Sequence, residues 1–244
     1  MPRLLPALVA IAVVSLATGC SDPSTATRPD PSSLIGPTFD RPLPPPTLDG
    51  IITRGEYEDA AGVRFLLFMP TGVPTPVTVY ITHDRTDLYM AVTFDRLSAF
   101  SPNDIIGFEF DNDNDGVTEN GDDIVLSNPN TPFVVFPGAD YYRFDDGAHN
   151  QSDAADGGTV DVSSVFGVSS TGTVGVFEFR HDLNSADDAH DFSIDPIPNP
   201  QTIGVRIGVS LEVSPGVYSH TFHPSQTTFC QLTIAKKTTS LSCP

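Results

Sequence analysis

The sequence predicts an all-β protein: an antiparallel β-sandwich, of jelly-roll or immunoglobulin-like type, behind an export signal and a proline-rich linker. Three observations predict it. Short runs of alternating apolar and polar residues follow one another between Leu48 and Pro244, separated by Gly, Pro, Asn and Asp. No long helical period competes with them. This region of about 197 residues shows no break in composition or fixed repeat, and it is large enough for one sandwich domain.

From the N-terminus, Arg3 supplies a small basic region and Leu4 to Ala17 an apolar run too short for a typical membrane span. The run ends in Leu16-Ala17-Thr18-Gly19-Cys20, which resembles a bacterial lipobox with Ala17 in the place usual for leucine. The resemblance implies a signal peptide over residues 1–19, lipidation of Cys20, and an extracytoplasmic protein anchored to the bacterial envelope through lipid alone. Residues 20–47 form the linker. Eight prolines lie among Ser, Thr and Asp between Ser21 and Thr47, with almost no apolar pattern, so this stretch cannot bury a core. At about 3 Å per residue it would hold the domain tens of ångströms from the membrane. With Cys20 assigned to lipid, Cys230 and Cys243 remain, and an even pair in an exported chain predicts a disulfide worth about 3 kcal/mol.

Within the domain, residues 48–244, Val77–Thr82 and Leu88–Phe94 alternate strictly about a turn at Asp84–Asp87. Further strands are predicted at Val63–Met69, Asp104–Phe110, Asp123–Ser127, Pro132–Phe136, Asp140–Phe144 and Thr159–Ser163. The series closes with Val174–Arg180, Ile203–Val213, Val217–Phe222 and Thr228–Ala235. Ser185–Asp191 and Glu56–Gly62 are predicted to form single turns of helix.

Charge is strongly unbalanced, with 12 basic and 31 acidic residues and a net charge of −19. Nucleic acid and anionic membrane surfaces are therefore poor partners. The excess is concentrated: between Asp104 and Asp161 fourteen acidic residues face a single basic one, Arg143. Within this block Asp111-Asn112-Asp113-Asn114-Asp115-Gly116 places an oxygen donor at every second position and then a glycine. That is how a short loop wraps a hard cation, here calcium. Counting Asp111 as the first ligand, Asp113 and Asp115 alternate with it and Val117 offers its carbonyl. Glu119 falls at the ninth place and Asp122 at the twelfth, where a glutamate is usual, with Asp123 as its alternative. The flanks read as strands, so the site is expected at a hairpin tip, with a dissociation constant of roughly 10⁻⁴–10⁻³ M. Of the remaining aspartates, Asp145–Asp146, Asp153 and Asp156 read as polar turns, with a second ion site as the alternative, and Asp182, Asp187, Asp188 and Asp191 as a solvated loop.

Three segments in order resemble the family 9 carbohydrate-binding modules and the related DOMON-like sandwiches. They are Leu48-Asp49-Gly50 with Glu56-Tyr57; the hairpin Val77–Phe94 with Asp87-Leu88-Tyr89-Met90-Ala91-Val92; and Asp104–Asp111 with Gly175-Val176-Phe177-Glu178-Phe179, continued by Ile203-Gly204-Val205. The resemblance implies a DOMON-like sandwich and a glycan partner, and leaves room for a second metal at Asp182, Asp187, Asp188 and Asp191. Tyr57 stands where those modules carry tryptophan, and the chain has no tryptophan at all. It also raises haem, for which Met90 is the candidate axial ligand.

Catalytic signatures are missing: there is no Gly-x-Ser-x-Gly, no His-Glu-x-x-His and no phosphate-cradling glycine loop. Glu109 and Glu178 lie in separate strands that nothing in the sequence pairs. His220 and His223, three apart on a strand, point to opposite faces and do not chelate together. His181 and His190 read as surface histidines in an acidic loop. Tyr80, Tyr89 and one of Tyr141 and Tyr142 are the candidate stacking residues for a sugar. The sequence thus predicts a non-catalytic, calcium-stabilised surface lipoprotein that binds a carbohydrate or other surface ligand. The alternative is a structural or adhesive module that contacts protein and has no sugar site.

Overall fold

In the computed structural model of the chain, the described residues are 33–35 and 44–244, apart from 69–73, 96–99, 130–135, 138, 146, 148, 169–173 and 197–198. The signal peptide, Cys20 and most of the linker lie outside them, as does all but Phe136 of the strand predicted at Pro132–Phe136.

The fold is an antiparallel β-sandwich. Its strands are β1 (Ser33–Ile35), β2 (Ala61–Phe68), β3 (Pro74–His83), β4 (Asp87–Asp95), β5 (Ile105–Asp111), β6 (Asp123–Ser127), β7 (Phe136–Pro137) and β8 (Ala139–Phe144). They continue with β9 (His149–Ser152), β10 (Ser163–Val168), β11 (Val174–Asp182), β12 (Gln201–Ser214), β13 (Val217–His223), β14 (Cys230–Ala235) and β15 (Thr238–Ser242). One helical turn, α1 (Asp153–Asp156), follows β9. One layer runs β7-β10-β11-β4-β3-β2 and the other β15-β14-β12-β5-β6-β8-β9. β1 pairs with both β2 and β15, and β13 pairs with the C-terminal part of β12.

Alternation builds the core between the layers. Ile106, Phe108 and Phe110 of β5 point inward, as do Val205, Ile207 and Val209 of β12 and Phe177 and Phe179 of β11. Phe108 meets Phe179 of the opposite layer edge-on, with ring centroids 5.4 Å apart. Each such buried ring contributes about 1.5–3 kcal/mol of apolar transfer. Met90, the candidate haem ligand, is fully buried within this core. Cys230 and Cys243 are disulfide-bonded, with Cα atoms 4.2 Å apart, and tie the segment after β15 to β14.

The differences from the sequence reading are local. The strand expected at Thr159–Ser163 is Ser163–Val168, because Val165 and Phe166 pair with Glu178 and Phe177 of β11. The polar strands β9 and β15 carry too few large apolar residues to announce themselves. Ser185–Asp191 forms no helix; its hydroxyl and carboxylates are hydrogen-bonded to one another and to local N–H groups instead. Glu56–Gly62 turns only as far as Asp59, and Ala61 and Gly62 already belong to β2.

Candidate functional site

The outer face of the β13-β12-β5-β6 sheet carries a groove, and glycines create it. Gly208 of β12 lies opposite Gly107 of β5, so two adjoining strands lack a side chain at the same level. Leu126 of β6 is the partner of Gly107 on one side, and Phe222 of β13 the partner of Gly208 on the other. The result is a depression of about 220 Å³ with a backbone floor and apolar walls. Ile105, Ser210 and His220 line one end; Glu109, Arg143 and Asn150 line the other. A Cβ on Gly107 would sit 2.4 Å from both Leu126 Cδ2 and the Val125 carbonyl oxygen, so this position excludes any side chain.

The charged end is tightly organised. Arg206 donates to Glu109 from Nε (2.9 Å) and Nη2 (2.6 Å), and Arg143 from Nε (3.0 Å) and Nη2 (2.8 Å). Two bidentate forks therefore close on one carboxylate. Arg206 also donates to Thr118 Oγ1 and to the Gln226 carbonyl, and lies over the rings of Phe222 and Phe229. It is spent holding the wall. Arg143 keeps 16% of its side chain exposed and is the more accessible of the two cations. Glycoside hydrolysis needs two carboxylates at a working separation. Among the residues lining this groove Glu109 is the only carboxylate, and both its oxygens are engaged.

Glu178 belongs to the other layer and does not pair with Glu109. It accepts hydrogen bonds from the N–H groups of Asp49 (3.2 Å) and Gly50 (2.7 Å) and from the Tyr57 hydroxyl (3.1 Å). The residues behind the first and third segments of the family resemblance thus meet in one clasp that holds the entry of the domain onto β11. Burial pushes the Glu178 carboxyl up to about 7, against the pull of these N–H donors.

The tyrosines divide. Tyr141, paired with Ile124, shares the groove face of its sheet and flanks the charged end. Tyr142 points the other way, donating to Asp156 at 2.8 Å. Tyr89 donates to Asp84 and Tyr80 packs on Tyr57, so neither reaches the groove. His220 lines the groove while His223 stacks on Phe65 across the strand.

The acidic loop sits at the β5–β6 hairpin tip. Asp111, Asp113 and Asp115 each present an oxygen within 4.8 Å of the others, a donor set of the hard kind. Asp111 also accepts the N–H groups of Asp115 (3.2 Å) and Gly116 (2.8 Å), and Asp115 that of Val117 (2.7 Å). Asp115 and Asp113 raise the pKa of the Glu119 carboxyl, which lies in their field. Asp122 turns to the loop backbone instead, accepting from Asn112 (3.3 Å) and Glu119 (3.0 Å).

Asp123 turns inward, away from the loop, to a buried site whose later acids the sequence reading assigned to turns and a solvated loop. Asp123, Asp140, Asp153, Asp191 and His181 are all buried to 3% exposure or less, with Asp161 beside them. His181, expected at the surface, is fully enclosed on β11. Burial acts to lower its pKa, but Asp123, Asp191, Asp161 and Asp140 together raise it to about 10. Asp187 and His190, 2.7 Å apart, close the chamber from the loop expected to be solvated. Parity within the strands was the available signal: inward alternation assigns Asp123 to the same face as Val125. For the groove, the signal was an isolated glycine in each of two strands, the usual mark of close approach to a backbone.

No protein-family model and no curated protein sequence matches the chain. Among solved structures the fold is similar to that of a family 9 carbohydrate-binding module from Caldicellulosiruptor kristjanssonii. In its complex with cellotriose the TM-score is 0.46 at 13% identity, covering 72% of this chain and 77% of that one. In its complex with glucose the TM-score is 0.48 at 14% identity, covering 72% and 78%. A likeness of this degree is one of general architecture and does not extend to individual residues.

Proposed function

We propose that this protein is a non-catalytic lipoprotein of the bacterial envelope that binds carbohydrate in the groove over Gly107 and Gly208. One observation carries the reading: a paired-glycine floor between Phe222 and Leu126, closed at one end by Arg143 on Glu109. A sugar ring offers flat C–H faces and a rim of hydroxyls. Phe222 and Leu126 supply apolar surface for the faces. Arg143, Asn150, Ser210 and His220 supply donors and acceptors for the rim. The depression is small, at about 220 Å³, and suits a ring better than an extended peptide.

The test is a glycan array probed with folded wild-type chain and with Arg143→Ala and Gly208→Val. A defined subset of glycans should bind, and each variant should weaken binding at least tenfold without lowering the melting temperature by more than a few degrees. Uniform blanks from folded, calcium-loaded protein would overturn the proposal.

Two further parts of the reading rest on separate support. Calcium binding at the hairpin tip is supported by the convergence of Asp111, Asp113 and Asp115, with Glu119 in their field. Chelator should lower the melting temperature, and an unchanged curve would end that part. Lipid anchoring at Cys20 is supported by residues 16–20 of the sequence. Cys20→Ser should move the protein from the membrane fraction to the soluble one.

A further inference from the structure

We propose that the buried chamber beneath β6 and β8 is a binding site for one divalent transition-metal ion of the zinc class, held by His181 Nε2 and by carboxylate oxygens of Asp123, Asp191 and Asp140. Asp161 stands ready as an alternative donor. The inference is independent of the groove and of the calcium loop.

Position comes first. One ligand atom from each of Asp123, Asp140, His181 and Asp191 lies within 4.8 Å of the others, and all four residues are buried. They come from β6, β8, β11 and the segment after it, so the fold and not a local loop brings them together.

The imidazole is set for metal. Its Nδ1 lies 2.6 Å from the Asp182 carbonyl oxygen, which can only accept, so Nδ1 carries the hydrogen. That leaves Nε2 aimed into the chamber, with the ring fixed by a backbone carbonyl in the way that orients metal-bound histidines. Nε2 is 3.3 Å from Asp123 Oδ2, 3.4 Å from Asp161 Oδ1 and 3.8 Å from Asp191 Oδ1. A charge-assisted hydrogen bond would be about 2.7–2.9 Å. A tetrahedron of nitrogen and oxygen donors about 2.0–2.1 Å from zinc has edges of about 3.4 Å. The separations to Asp123 and Asp161 follow the second geometry, and Asp191 at 3.8 Å lies slightly outside it.

The carboxylates are aimed in the same way. Asp191 accepts the Ser185 hydroxyl at 2.6 Å with Oδ2, and Asp140 accepts the Asp161 N–H at 3.0 Å with Oδ2. The other oxygen of each, Oδ1, has no hydrogen-bond partner, nor does either oxygen of Asp123, nor His181 Nε2. Asp123 has no exposed surface at all. Buried polar atoms are ordinarily satisfied, and here unsatisfied atoms of four residues come within 4.8 Å of one another. Among the ion pairs of the described residues, His181 is the only cationic partner of Asp123, Asp161 and Asp191. A divalent ion in place of the proton on Nε2 adds one net positive charge among these buried carboxylates. The imidazole favours a transition ion over calcium, which takes six to eight oxygens.

The test uses the full chain, stripped with chelator and dialysed against zinc, then cobalt, with bound metal measured by elemental analysis. One zinc per chain should be retained, and cobalt should give the intense visible absorption of tetrahedral coordination. Asp113→Ala, in the hairpin loop, should leave both unchanged. His181→Gln should abolish them. Because that variant risks misfolding, Ser185→Ala serves as the second. It removes only the hydroxyl that positions Asp191 and should weaken zinc binding about 10–100-fold in a folded protein. No retained zinc in the wild type, a weak octahedral cobalt spectrum, or unchanged affinity in both variants would each overturn the proposal.

Discussion

Asp122 and Asp123 are neighbours in sequence and belong to two unlike acidic sites. Asp122 stays with the hairpin tip, where the carboxylates accept hydrogen bonds from N–H groups of their own loop. Asp123 begins β6 and points into a chamber where its oxygens meet no donor and only His181 carries compensating charge. The first site is made by spacing along the chain and satisfies itself. The second is made by topology and is left short of positive charge. A carboxylate cluster is therefore better judged by where its oxygens go than by how many acids it contains.

The largest expected effect lies on the buried side. His181→Ala removes the cationic partner of three enclosed carboxylates and should cost about 3–5 kcal/mol in chemical denaturation. A loss below about 1 kcal/mol would erase the distinction between the two sites. Glu178 provides an intermediate case, a buried acid whose oxygens are satisfied. Its pKa is raised by burial from an ordinary 4.5 to about 7. The folded chain thus keeps a proton that the unfolded chain has released. Its stabilising contribution is complete below about 4.5 and lost as pH rises through about 7. Glu178→Gln should flatten stability across that window, by at most about 3 kcal/mol, measured as the difference between wild-type and variant urea midpoints at each pH.

Effects at the hairpin tip should be smaller. Asp111→Ala leaves the Gly116 N–H without its acceptor and the Asp115 N–H with Asp113 alone, and should cost about 1–3 kcal/mol. Asp113, more exposed, should cost within about 0.5 kcal/mol when replaced by Ala in calcium-free buffer. The same variant should lose the rise in melting temperature that calcium gives the wild type. A calcium-dependent rise that survives Asp113→Ala would move the ion away from the tip.

Much of the fold was legible because alternation and turn residues are local signals. β3 and β4 lie where Val77–Thr82 and Leu88–Phe94 predict them, and the hairpin turn falls between them. Convergence of Asp111, Asp113 and Asp115 was legible for the same reason, since a two-residue spacing around a tight loop is a local geometry. The groove and the chamber were not. Gly107 and Gly208 are 101 positions apart and become a floor only when β5 and β12 pair. His181 looked like a surface residue because its sequence neighbours are acidic and polar, whereas its true neighbours arrive from β6, β8 and the 182–194 segment. Pairing across layers is a property of topology, and a single sequence does not display it.

Strand β6 is a partition one side chain thick. Ile124 and Leu126 face the groove, and Asp123 faces the chamber beneath it. Adding or deleting one residue within the strand would exchange the two sets, turning a carboxylate onto an apolar wall and an isoleucine into a bed of acids. The tip between Asn112 and Gly121 is free of that parity rule but is held by spacing, which sets the proposed calcium ligands and brings Thr118 to Arg206. The hairpin is thus fixed twice, by side-chain parity in the arm and by ligand spacing at the turn, and neither part takes an inserted residue without loss.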